Sequence, residues 1–102
     1  MITFIKSLFK AKADLNKLVK EGAIIVDVRT KGEYQAGNIE GSKNIPLDDV
    51  KTQVQQLKKS GKPVVTVCRS GNRSAMAKSI LSSAGIEAYN GGAWTNLKRQ
   101  MA

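Results

Sequence analysis

Three short runs of aliphatic and β-branched residues stand out from an otherwise mixed chain, and each has the length of a strand. Ala23-Ile24-Ile25-Val26-Asp27-Val28 and Val64-Val65-Thr66-Val67 are continuous rather than alternating, the pattern of strands covered on both faces. Ile86-Glu87-Ala88-Tyr89-Asn90 reads as a third strand. Between them the apolar residues fall at helical spacing. Asp14 is placed to cap a short helix over Leu15–Glu21 that Gly22 ends. Thr30–Ile39 predicts one or two helical turns and a loop at Gly37-Asn38, followed by a short extended piece at Lys43–Leu47. Asp48 and Asp49 can cap and start a helix to about Lys59, which Ser60-Gly61-Lys62-Pro63 breaks. A helix of about three turns follows Cys68 and its loop and ends near Gly85; on it Met76, Ile80 and Leu81 are expected in the core. Gly91-Gly92 is expected to open a last short helix carrying Trp94 and Leu97. Strands alternating with helices predict an α/β domain with a mainly parallel sheet, whose site is built by loops leaving the carboxyl ends of the strands. Asp27 and Arg29, the segment from Cys68 onward, and Gly91-Gly92 all sit at such ends.

Composition narrows the function more than the fold. The chain has 102 residues, enough for one domain with a single core, and no internal repeat or low-complexity tract. Its 17 Lys and Arg against 8 Asp and Glu give a net charge of +9, a field that attracts anions. The lysines are spread out and few aromatics interleave with them, so a basic solvated surface is preferred to a nucleic-acid platform. A single cysteine forms no internal disulfide and has no resolving partner within the chain. The absence of histidine removes Cys–His dyads and His-based metal sites, and no cofactor or metal is implied. Ile2, Ile5, Leu8 and Phe9 share one helical face, predicting a short helix that packs on the domain or on a second copy, with weak membrane-surface docking as the sharper reading. Lys6 and Lys10 break that apolar run and no cleavage pattern follows, so neither a signal peptide nor stable membrane insertion is expected. The expected location is the cytoplasm and the expected state a monomer or weak homodimer.

The chemistry concentrates in Cys68-Arg69-Ser70-Gly71-Asn72-Arg73-Ser74. This loop puts the cysteine at a strand end and leads directly into a helix. A thiol there meets backbone N–H groups, the positive end of the helix dipole and guanidinium charge, all of which favour the thiolate. Gly71 permits the tight wrap, and Ser74 is placed to cap the helix or to touch a substrate. A strand-end cysteine alone would read as a buried, inert thiol; the residues after it favour a nucleophile in an anion-binding cradle.

Four blocks in order, from about Asp14 to Arg99, resemble the single-domain rhodaneses, a sulfurtransferase family. They are Asp27-Val28-Arg29 with Glu33-Tyr34, then Gly37-Asn38-Ile39-Glu40-Gly41-Ser42-Lys43-Asn44-Ile45-Pro46-Leu47, the Cys68–Ser74 loop, and Gly91-Gly92 with Trp94 close behind. Residues 1–12 are then an amphipathic N-terminal extension and 13–102 the rhodanese-like domain. The resemblance implies a three-layer α/β fold with helices on both faces of the sheet. It also implies that the Cys68 thiolate takes the outer sulfur of a small anionic donor such as thiosulfate, forming a persulfide that passes sulfur to cyanide, a thiol or a protein acceptor. Arg69 and Arg73, with the backbone of Ser70, Gly71, Asn72 and Ser74, would hold the donor and the charged sulfur. Asp27 and Arg29 are expected to pair and brace the loops, and Trp94 to be a core anchor more than a pocket wall. The family usually has histidine where this chain has Asn38, which can still hydrogen-bond within a tight loop. Cysteine phosphatases and arsenate reductases set five residues between cysteine and arginine; here four separate Cys68 from Arg73, which disfavours them. A binding module without chemistry would commonly lose the cysteine. A domain loaded with sulfur by a protein partner is the remaining alternative.

Overall fold

The computed structural model describes residues 15–102. The apolar face at Ile2, Ile5, Leu8 and Phe9, the extension boundary at residue 12 and the cap expected at Asp14 lie outside the described residues. The chain runs α1 (Leu15–Lys20), β1 (Ile24–Asp27), α2 (Lys31–Ala36), β2 (Lys43–Asn44), a 3-10 turn (Leu47–Asp49), α3 (Val50–Ser60), β3 (Val64–Cys68), α4 (Asn72–Ser83), β4 (Ala88–Ala93) and α5 (Trp94–Met101). The strands form one sheet in the order β2-β1-β3-β4, every pair parallel. The order reverses between β1 and β3, so the carboxyl ends of these two strands flank the crevice where open α/β sheets place their ligands.

β-branched residues fill β1 and β3 because both strands are covered on two sides. All five residues of β3 are buried. Alternate residues feed different layers. Val26, Val28, Val64 and Cys68 pack with Val50, Leu57, Ala77 and Leu81 of α3 and α4. Ile25, Val65 and Val67 point the other way, against Ile39, Leu97 and the half-buried Leu15, Val19 and Trp94 of α1 and α5. Helices therefore cover both faces, as the α/β three-layer reading requires. Among the described residues no helix is long and apolar enough to cross a membrane.

Local details depart from the sequence expectation in three places. Met76 is 58% exposed, whereas Leu81 is fully buried and Ile80 packs on the core's margin. The buried stripe of α4 is Ser74, Ala77 and Leu81, and Met76 falls one residue off it. Asp49 occupies the cap position of α3 but is already helical (φ −98°, ψ −5°), so its carboxylate bonds no helix N–H, and the preceding residues form the 3-10 turn instead. Gly91-Gly92 lies within β4 rather than opening the last helix, which begins at Trp94. The reason is contact: a Cβ on Gly91 would lie 2.8 Å from Val65 Cγ1 and 2.9 Å from the Thr66 carbonyl and Val67 Cγ1. β4 can pair with β3 at that point only without a side chain.

Candidate active site

β3 ends on Cys68, and α4 begins at Asn72 with Gly71 as its cap residue, held at φ +106°. That left-handed residue turns the chain back over the sulfur. Gly71 N–H donates to Cys68 Sγ at 3.0 Å and Ser74 N–H at 3.3 Å, while the thiol contacts Ser74 Oγ at 3.3 Å. Cys68 itself is 1% exposed. Burial pushes the thiol up; the Ser74 hydroxyl and the backbone N–H groups of Ser74, Gly71 and Ser70 outweigh it, so the group sits below its ordinary value. Ser74 stands in the first turn of α4 rather than at its cap, and its hydroxyl works between Cys68 and β4.

β4 reaches the loop through Asn90. The Ser74 hydroxyl donates to Asn90 Oδ1 at 2.6 Å, which also accepts the Gly92 N–H at 2.9 Å. Asn90 Nδ2 donates to the Gly71 carbonyl at 3.2 Å. From within β3, Thr66 Oγ1 lies 2.8 Å from the Ser74 carbonyl and pins the start of α4.

The arginines divide into separate tasks. Arg73 grips Glu33 with both terminal nitrogens, Nη1 at 2.7 Å and Nη2 at 3.1 Å. Glu33 belongs to a capping box at the start of α2, accepting the Thr30 N–H at 3.0 Å. Arg73 first, and then Thr30, hold the Glu33 carboxyl down at about 2. Arg69 and Ser70 are exposed at the mouth of the loop, and among the described residues no carboxylate pairs with Arg69. Asp27 and Arg29 are buried and paired at 2.8 Å. Arg29 also donates to the carbonyls of Gly37 at 2.6 Å and Glu33 at 3.2 Å, and its guanidinium stacks 4.5 Å from the centre of the Trp94 ring. They brace the loops beside the site, and Trp94 packs on the core face of α5. Asn38 likewise works locally, its Nδ2 donating to the Tyr34 carbonyl at 2.9 Å.

Glu33 and Asn90 carry site geometry that the sequence reading did not assign to them. The Thr30…Glu33 spacing was an available signal for the first; nothing local marks the second. A shallow groove of about 570 Å³ between α3 and α4, walled by Val54 and Ile80, lies on another part of the surface and does not include Cys68.

The structure thus brings together a thiol lowered by backbone donors, a parallel-sheet switch point and the Asp27–Arg29 pair, while the Arg73 fork that was expected to face a donor is bonded to Glu33. The family model of the rhodanese-like domain matches residues 11–96, nearly the whole chain. The chain belongs to the rhodanese-like domain family. Among curated rhodanese relatives, the thiosulfate sulfurtransferase PspE of Escherichia coli is 38% identical over 61 residues, covering 59% of this chain and 59% of PspE. A putative sulfur carrier protein of Bacillus subtilis, YrkF, is 33% identical over 79 residues, covering 78% of this chain and 40% of that one. A rhodanese-related protein of Thermoplasma volcanium superposes with a TM-score of 0.72 at 30% identity, covering 86% of each chain. The chain spans between 15% and 59% of the length of the first curated relatives it matches. The rhodanese-like fold follows from these matches, and the names of the curated relatives are those of sulfurtransferases and a putative sulfur carrier.

Proposed function

We infer that this protein transfers sulfane sulfur through a persulfide on Cys68. The observation that carries this reading is the pair of N–H groups, from Gly71 and Ser74, that converge on Sγ in a loop with no acid or base of its own. Such a cradle serves a nucleophile that reacts as an anion and stays one after reaction. In the first half-reaction the Cys68 thiolate attacks the outer sulfur of thiosulfate. The new S–S bond forms as the bond to the oxidised sulfur breaks, and sulfite leaves with the electron pair. In the second, an acceptor thiolate or cyanide attacks the outer sulfur of the persulfide, and Cys68 leaves as the thiolate. Both charged forms occupy the same cradle, which Gly71, Ser74 and the exposed Ser70 N–H supply. Arg69 meets the incoming donor. The Glu33–Arg73 and Asp27–Arg29 pairs hold the loop and its neighbours, with Trp94 stacked behind and Asn72 starting the helix.

A protein persulfide is the second donor class. With Arg73 bonded to Glu33, Arg69 is the loop guanidinium left to draw a small dianion, while the net charge of +9 would attract an acidic protein. The sulfur-carrier relative points the same way. A thiol that must stay reduced suits the cytoplasm.

The deciding experiment is intact-protein mass spectrometry after mixing with thiosulfate. Addition of one sulfur atom, absent in Cys68→Ala and removed by cyanide or a thiol, is the expected result. Addition that persists in Cys68→Ala defeats the Cys68 assignment. No addition from thiosulfate, with addition from a persulfidated acidic protein, assigns the domain to sulfur relay.

A further inference from the structure

The Ser74 hydroxyl carries one proton and has two claimants. Its oxygen lies 3.3 Å from Cys68 Sγ and 2.6 Å from Asn90 Oδ1. The Asn90 amide is oriented from both ends, since Oδ1 accepts the Gly92 N–H and Nδ2 donates to the Gly71 carbonyl. Oδ1 has no hydrogen to give, so Ser74 must be the donor in that contact. The hydrogen between Ser74 and sulfur is then the thiol's own, S–H donating to Oγ.

We propose that Asn90 is a positioning residue acting on Cys68 through Ser74, drawing the hydroxyl proton toward β4 and so favouring the thiol more than the loop donors alone would. This rests on Cys68 being the nucleophile. When the thiol gives its proton to a water or buffer base, the hydroxyl has to turn. Its hydrogen leaves Asn90 Oδ1 for the sulfur, while Oδ1 keeps the Gly92 N–H. The thiolate then holds the N–H groups of Gly71 and Ser74 plus the Ser74 hydroxyl, at the expense of one short bond to β4. Asn90 thereby opposes the donors that favour the anion and sets how much of the protein waits in reactive form.

The elements packed around the loop carry charged and titratable groups. They are Arg69 in the loop, Arg73 on α4 paired with Glu33 of α2, and Asp27 and Arg29 at the end of β1. β4 contributes Tyr89, whose hydroxyl is turned to Glu87 Oε2 and pushed up to about 12. These groups are common to every variant below and cancel in the comparison.

The test is a pH titration of the Cys68 thiolate by its ultraviolet absorbance, with Cys68→Ala as the blank. Wild type is compared with Asn90→Leu, Ser74→Ala and the double variant. Asn90→Leu keeps the bulk of the exposed side chain and removes the acceptor. Its midpoint is expected to fall by about half a pH unit, raising the thiolate fraction below the midpoint about threefold. Ser74→Ala raises the midpoint, and Asn90→Leu then adds nothing to it. If Asn90 merely braced the loop, its loss would slacken the Gly71 N–H on sulfur and raise the midpoint whether or not Ser74 were present. An unchanged midpoint, a raised one, or an Asn90 effect that survives in the Ser74→Ala background overturns the proposal. Asn90→Ala gives the same comparison should leucine not fit. The titration reads protonation alone, so it stands or falls separately from persulfide formation.

Discussion

At Cys68, burial and hydrogen bonding pull the thiol in opposite directions, and the hydrogen bonds prevail. The rate of sulfur loading from thiosulfate should therefore rise with pH and level off with a midpoint below that of an ordinary cysteine. A rate profile by rapid quench and mass spectrometry checks this, and Ser74→Ala should move the midpoint up. Arg69 is exposed and has a donor fork to offer, so Arg69→Ala should raise KM for thiosulfate about five- to tenfold and leave kcat nearly unchanged. Glu33 behaves as a depressed carboxylate: the stability it contributes through Arg73 and Thr30 is complete above 4.5 and is lost as pH falls toward about 2. Melting temperatures measured across that window should fall less steeply in Glu33→Gln than in wild type. Of these residues Cys68 was legible in the sequence, because the order strand, cysteine, glycine-bearing loop, helix prescribes the cradle by itself. Arg73 was read as a fork for the donor, but its carboxylate partner Glu33 stands 40 residues earlier on another element, which no local pattern encodes.

Among the elements, β1 and β3 were readable because a strand covered on both sides is apolar at nearly every position, Asp27 and Thr66 excepted. β4 was readable only up to Asn90. Its continuation through Gly91 depends on the side chains of Val65 and Val67 on the neighbouring strand, which no local pattern encodes. The same cause misplaced Met76: its apolar character says helix, but the direction α4 faces is set by which turn meets β3 and α3. These contacts have measurable consequences. Gly91→Ala should destabilise the fold by about 1–3 kcal/mol through overpacking, read from chemical denaturation. It should also impair sulfur loading beyond what that loss explains, because Asn90 and Gly92 are carried with the displaced backbone. Leu81→Ala, in the buried stripe of α4, should cost about 2–5 kcal/mol and leave the loading rate of the folded fraction unchanged.

Across the whole molecule, charge separates what the site does from what the surface invites. Around the loop, charged side chains are neutralised in pairs, Asp27 with Arg29 and Glu33 with Arg73. The excess of positive charge therefore resides on exposed side chains such as Arg69, Lys31, Lys51 and Lys98, distributed around the domain. A field of that kind acts on encounter more than on chemistry. An acidic protein presents many charges to it and feels the sum, whereas thiosulfate presents two and is governed by the few groups at the loop. Raising ionic strength from about 50 to about 300 mM shortens the screening length from more than 10 Å to about 6 Å. Sulfur loading from an acidic persulfidated donor should then slow about tenfold or more, and loading from thiosulfate only a few-fold. The two rates, followed by mass spectrometry on the same preparation, distinguish a surface built for protein encounter from one that is basic only for solvation. Equal salt dependence for both donors would assign recognition to the loop alone.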